Sequence, residues 1–180
     1  LGYVGNLQWK VFEPLVKILR LADSDGQSMA SMYGEIIEAK KAILVAVDNS
    51  DKDYKAITTA MESKMNGRLD TPLHMAAYAL NPYYSYADTN IFYDGTITEG
   101  FISCVETFYY GDDDKQDQAV NFELKKFQNR EGSFAKKLAR SCQNFDYNAG
   151  MHCDFVKSNL FNIYSEFMQY IVNLILCSHS

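Results

Sequence analysis

Hydrophobic residues recur every three or four positions along most of the chain, which is the spacing of one face of an α-helix. Residues 28–47 show this spacing most clearly. Their apolar positions are Met29, Met32, Tyr33, Ile36, Ile37, Ile43, Leu44 and Val47. Charged residues such as Glu38 and Lys41 fall between them, and Ser28 can cap the first turn. This pattern predicts an amphipathic helix over 28–47.

The preceding segment, residues 7–22, has the same period. Its apolar stripe consists of Val11, Leu15, Ile18, Leu19 and Ala22. Pro14 interrupts the segment, which predicts a kink or a helix that starts near Glu13. Asp23 to Gly26 is typical of a turn.

Downstream, the same reasoning predicts helices over 54–65, from Pro72 to Asn81-Pro82, and over 95–110, 116–129 and 133–139. We expect an ordered loop over 83–94, and a solvated loop at Asp112 to Asp114 whose negative charge suits the following helix N-terminus. Convincing strand alternation is absent from the sequence. The predicted fold class is therefore all-α with six or seven helices.

The last thirty residues differ from the rest in being strongly apolar. The uncharged stretch Phe167 to Cys177 is about half of the roughly 20 residues that a membrane span requires. Lys157 and Glu166 also argue against a span. We therefore predict two units: a helical domain over 1–150, and an apolar C-terminal helix over 151–180 that packs on it or forms an interface.

Composition and charge narrow the function. The chain is 47% hydrophobic and 22% charged, so it has enough apolar material to fold. Its net charge of -6 does not attract nucleic acid through the overall field. The four cysteines contain no C-x2-C pair, and we expect reduced thiols in a nuclear or cytoplasmic protein.

The sequence contains few motifs that carry chemistry. Nucleotide-binding glycine loops, a GxSxG elbow and an HExxH helix are all absent from it. His152-Cys153 could begin a metal site, but a third ligand at usable spacing is missing. We predict no cofactor, no metal, no small-molecule ligand and no enzymatic activity.

Two sets of residues are candidates for binding. The basic set could contact DNA phosphates, although such charges are also ordinary on exposed helix faces; it consists of Lys125, Lys126, Arg130, Lys136, Lys137 and Arg140. The aromatic and apolar set could form a protein interface or could simply be buried; it consists of Tyr83, Tyr84, Tyr86, Phe161, Tyr164, Phe167, Met168 and Ile171.

A block from Trp9 to Pro82 resembles plant hAT-superfamily transposases, which have a ribonuclease H-like core. Its matching residues are Phe12, Pro14, Leu15, Val16, Leu19, Arg20, Asp23, Met29, Tyr33, Gly34, Glu35, Ala39, Lys40, Tyr54 and Ile57. The most specific element is the string PLHMAAYALNP from Pro72 to Pro82. A weaker likeness continues to about Ala139.

The resemblance implies a helical region that is inserted in, or follows, a ribonuclease H-like core. It also implies, as an alternative to a purely helical fold, a few short strands of that core near residues 84–94. Active relatives cut and rejoin DNA with three acidic residues and divalent metal ions. By the family's order, those acids and a C-terminal dimerisation signature lie outside this block. The family's Arg-Trp pair corresponds here to Lys64-Met65, and methionine lacks the flat surface on which a flipped base stacks.

These observations together predict a non-catalytic, transposase-derived protein that binds a protein partner or itself. One alternative is a DNA-binding remnant that uses the basic set. Another is a metal-dependent nuclease, and a third is a role acquired by lineage-specific recruitment, such as inhibition or toxicity.

Overall fold

The computed structural model describes residues 2–23 and 29–137, and within these ranges the chain is helical and has no strand. The predicted all-α fold is confirmed for this part of the chain. The α-helices are α1 (Gly2–Ala22), α2 (Met29–Ala46), α3 (Asp51–Met65), α4 (Pro72–Ala79), α5 (Pro82–Ser85), α6 (Gly95–Phe108), α7 (Asp113–Asp117) and α8 (Leu124–Asn129). Short 3₁₀ turns lie at Thr89–Tyr93 and Gly132–Ala135.

Helices α2 and α4 pack against each other at the centre of the described part. Helix α1 packs on α2, and α6 packs on α4, so the order across the body is α1, α2, α4, α6. One core joins α1, α2 and α3 around Ile18, Ile36 and Ile43. A second core joins α4, α6 and the segment after α7 around Val105 and Phe127.

The first half of α2 is buried on every face, because other helices surround it. Ala30, Ser31, Met32 and Tyr33 are consecutive and all buried. A one-sided stripe is the pattern of a surface helix, whereas a helix buried all round has small or apolar residues on all sides. The stripe residues Met32 and Tyr33 are buried as predicted, but in this half of α2 burial extends beyond the stripe to Ala30 and Ser31.

Two glycines allow elements to approach closely. A Cβ atom on Gly100 of α6 would lie 2.5 Å from Met75 Sδ and 2.8 Å from Met75 Cβ on α4. A Cβ atom on Gly34 of α2 would lie 2.5 Å from Tyr84 Cζ. Such distances are shorter than packed atoms tolerate. At Gly100 the overlap includes Met75 Cβ, so a side chain there would move a helix, whereas at Gly34 it involves the far end of the Tyr84 ring.

The predicted loop over 83–94 is wrong in detail, because its polar residues cap helical turns. The Asn81 side chain accepts a hydrogen bond from the Tyr83 N–H at 3.0 Å and starts α5. Asp88 caps the first 3₁₀ turn, and the Asp94 carboxylate accepts the Thr96 N–H at 2.9 Å at the start of α6. The alternative of short strands at 84–94 is excluded for the same reason.

The segment 113–129 is one helical run with a π-helical stretch, Gln118–Glu123, between α7 and α8. Asp112 caps it by accepting the Lys115 N–H at 3.1 Å, so part of the expected acidic loop belongs to the helix. The run ends at Arg130, which has left-handed backbone angles (φ 57°). Of the predicted 133–139 helix, the structure describes a 3₁₀ turn, Gly132–Ala135.

Helix α1 continues through Pro14 and does not begin near Glu13. Proline removes one backbone donor from the helix interior. The predicted stripe of α1 is partly wrong, since Leu19 and Ala22 are exposed, while Ile18 is buried against α2. None of the helices in the described ranges combines the length and apolar character that a membrane crossing needs.

Candidate interaction surface

Helix α1 has a second apolar stripe, which faces away from the core. Trp9, Phe12 and Leu19 are 61%, 57% and 63% exposed, and Val16 lies between them and is half-buried. Their spacing of three, four and three residues places all four on one face. Val16 and Ile18 are two residues apart, about 200° around the helix, so the α1 stripe and the buried face are on nearly opposite sides.

Charged residues flank the α1 stripe along one edge. Glu13 and Arg20 are seven residues apart, so they lie above one another on the same side, and both are exposed. Neither has an ion pair within the described residues. Lys17, by contrast, is engaged in its own chain, because its Nζ lies 2.6 Å from Glu35 Oε2 on α2.

A groove of about 690 Å³ lies beside this charged edge, between α1 and α2. Ala39, Ala42 and Val45 line its α2 side, and the Lys17–Glu35 ion pair borders it. Val45 is 71% exposed. Apolar surface therefore continues from α1 to the outer face of α2, with charges between the two.

The aromatic residues predicted at an interface are packed to different degrees. Tyr86 is buried, its hydroxyl donates to the Phe127 carbonyl at 3.2 Å, and its ring lies 5.0 Å from the Phe127 ring. Tyr84 is half-buried and lies between Gly34 and Tyr78, 4.7 Å from the Tyr78 ring. Tyr83 is half-buried with its edge against Tyr84. Because Tyr86 is buried, it is not available to a partner at the predicted interface.

The predicted basic residues are also partly engaged within the chain. The Arg130 guanidinium stacks on the Tyr86 ring at 4.4 Å and donates to the Tyr86 carbonyl at 2.9 Å. Lys126 Nζ lies 3.0 Å from Glu123 Oε1. Lys125, Lys136 and Lys137 are exposed. Arg130, which could otherwise bind a phosphate through two N–H groups, is therefore engaged with Tyr86 at the end of α8.

Several buried groups have shifted pKa values, but they do not converge on one site. Burial raises the pKa of Tyr33 and of Tyr78 to about 12, and raises that of the Cys104 thiol to about 11. Burial lowers the pKa of His74, whose Nδ1 lies 2.7 Å from Thr71 Oγ1. A thiol with a raised pKa is a poor nucleophile at neutral pH.

Within residues 2–23 and 29–137, His, Cys, Asp and Glu side chains do not gather into a group of three that could hold a metal ion. Met65 is buried in the core with Met61 and Ile36. Six predicted site residues lie outside the described residues: Arg140, Phe161, Tyr164, Phe167, Met168 and Ile171. So do His152 and Cys153.

Comparison with known proteins identifies no family: no family model, no curated protein and no solved structure matches the chain.

Sequence reasoning missed the α1 stripe, because it searched α1 for one apolar face. Trp9 and Phe12 were not assigned to any face, and Leu19 was assigned to the buried one. The spacing of residues 9, 12, 16 and 19 could have revealed a second face, since a helix with two apolar faces needs two partners.

Proposed function

We propose that this chain is a non-catalytic, transposase-derived protein that acts by binding protein through the α1 stripe, defined as Trp9, Phe12, Val16 and Leu19. The observation that carries the proposal is the exposure of three large apolar side chains on one helix face. Single exposed apolar residues are common, but a contiguous patch rimmed by charges is typical of an interaction site.

The residue types also support protein binding. Trp9 is the only tryptophan of the chain, and tryptophan dominates the energetics of protein interfaces more often than most residues. A leucine and a phenylalanine beside it supply the apolar contact that a partner would cover. The charged rim, Glu13 and Arg20, would fix the orientation of the partner.

The origin and the absence of chemistry rest on the family resemblance. The block that resembles hAT transposases does not include the family's catalytic acids, and Met65 stands where its base-stacking tryptophan would be. The DNA-binding alternative retains Lys125, Lys136 and Lys137 as exposed cations, whereas Arg130 is engaged with Tyr86 and Arg140 lies outside the described residues.

A photo-crosslinking amino acid at position 12 tests the proposal in an extract of the tissue that makes the chain. We expect adducts at position 12, their loss in Leu19→Glu, and no comparable adducts from position 93, where Tyr93 is 86% exposed on another part of the surface. Equal adducts at both positions would refute a specific surface. Cleavage of plasmid DNA by the purified chain with Mg²⁺ would refute the non-catalytic role.

A further inference from the structure

We infer that the α1 stripe is covered by α1 of a second copy of this chain, with the two helices antiparallel. This inference rests on the proposed function, since it names the partner of the same surface. It is carried by the order of apolar and charged residues along α1, in which each feature has its complement on the other side of Val16, at a distance that agrees to within one residue.

A two-fold axis beside Val16 brings each residue opposite the residue that lies equally far beyond Val16 in the second copy. Phe12 lies four residues before Val16 and Leu19 three residues after it, so Phe12 comes within about one helical residue of Leu19 of the second copy, and Leu19 of its Phe12. Val16 meets its own counterpart. A two-fold interface uses the same patch on both copies, so a self-complementary patch is its requirement.

The charges follow the same symmetry. Glu13 comes within about one helical residue of Arg20 of the second copy, and the axis generates this ion pair twice. Trp9 lies opposite Asp23, whose carboxylate can accept a hydrogen bond from the indole N–H. A parallel arrangement gives neither pair, because it places Glu13 level with Glu13 and Arg20 level with Arg20. The charge order therefore selects the antiparallel arrangement.

The available area fits a weak dimer. Fully covered aromatic side chains bury roughly 150–250 Å² each. With three large residues about 60% exposed, the stripe offers on the order of 400 Å² per copy. Interfaces below about 1,200 Å² in total are typical of transient association. We therefore expect dissociation in the micromolar range and a dimer that forms only as concentration rises.

Sedimentation equilibrium of the full chain at physiological salt tests the arrangement by charge exchange. The variants are Glu13→Arg, Arg20→Glu and the double variant, with Glu99→Arg and Lys52→Glu as controls for a change of charge at exposed sites elsewhere. We expect each single change at α1 to weaken dimerisation about tenfold, since two exposed ion pairs become two like-charge contacts. The double variant should return to within about threefold of the original chain.

Three outcomes would overturn the inference. The first is a chain that stays monomeric at every concentration. The second is a double variant whose dimer is weakened by as much as the two single changes together. The third is a control substitution that weakens the dimer as much as the changes at Glu13 and Arg20. A monomeric chain that still forms adducts at position 12 would refute only the second copy as occupant and would leave the proposed function intact. A monomer without such adducts would refute both.

Discussion

Tyr33 and Tyr78 bring two phenol groups into the centre of the described body. Their ring centroids lie 5.4 Å apart, and both side chains are buried. Burial is the main reason why the pKa of each rises to about 12; the charges of Asp94 near Tyr33 and of Glu38 near Tyr78 add to it. Because the phenolate is disfavoured there, both groups remain neutral wherever the fold is stable.

This shift predicts a loss of stability in alkali. The unfolded chain releases the phenol protons near pH 10, whereas the folded chain holds them until about pH 12. The contribution of the neutral Tyr33 phenol to the free energy of unfolding is thus complete below pH 10. It decreases by about 2–3 kcal/mol as the pH rises toward 12. Tyr33→Phe should flatten this fall in urea unfolding at pH 8 and pH 11. Tyr93→Phe, at an exposed site, should leave it unchanged; an equal effect of both would contradict the assignment.

Individual tyrosines also show what a sequence cannot specify. Local spacing placed Tyr33 on the apolar face of α2, and that prediction is confirmed. For Tyr86 the sequence left an interface and simple burial both open; it is buried because Phe127 and Arg130, more than forty residues away, cover it. Such contacts depend on the approach of distant elements and leave no periodic trace near Tyr86.

At the scale of elements, the approach of α4 and α6 depends on a residue without a side chain. Met75 of α4 fills the space over Gly100 of α6, and Ala76 and Phe101 are buried beside them. Helices that pack through a small residue can come closer than the usual 8–10 Å between axes. Ala76 and Phe101, the neighbours of Met75 and Gly100, belong to the second core.

Gly100→Ala should therefore destabilise the fold by about 1–3 kcal/mol, because the added carbon would overlap Met75 and one helix must move. Gly95→Ala is the matched control: Gly95 is in the first turn of the same helix, with open space around its Cα. There alanine should be neutral or stabilising by less than about 1 kcal/mol. Chemical unfolding monitored by circular dichroism measures both, and equal effects would argue against close packing at Gly100.

The existence of the longer helices could be predicted from apolar spacing, because each buries at least one face that repeats locally. Their limits could not, because they are set by side chains that also occur in loops. Asp88 and Asp94 favoured a loop over 83–94, and in the structure the same carboxylates cap helical turns. For α1, the period revealed a helix but not its two faces, since only α2 determines which stripe is buried.

At the scale of the whole molecule, burial and exposure divide α1 into a side that the other described residues cover and a side that they leave open. Ile18 is 4% exposed and belongs to the first core, whereas Leu19, the next residue, is 63% exposed. The net charge of -6 opposes non-specific association of copies. A specific pairing must therefore gain from the α1 stripe and from its own charge order.

Trp9 reports directly on that surface, since it is the only tryptophan and lies in the stripe. The measurement is quenching of its fluorescence by acrylamide, over a dilution series of the full chain. If a second copy covers Trp9, acrylamide should quench its fluorescence strongly at low protein concentration and weakly at high concentration. The protection at high concentration should be lost in Glu13→Arg and restored in the double variant Glu13→Arg/Arg20→Glu. Quenching that is the same at every concentration, whether strong or weak, would contradict it.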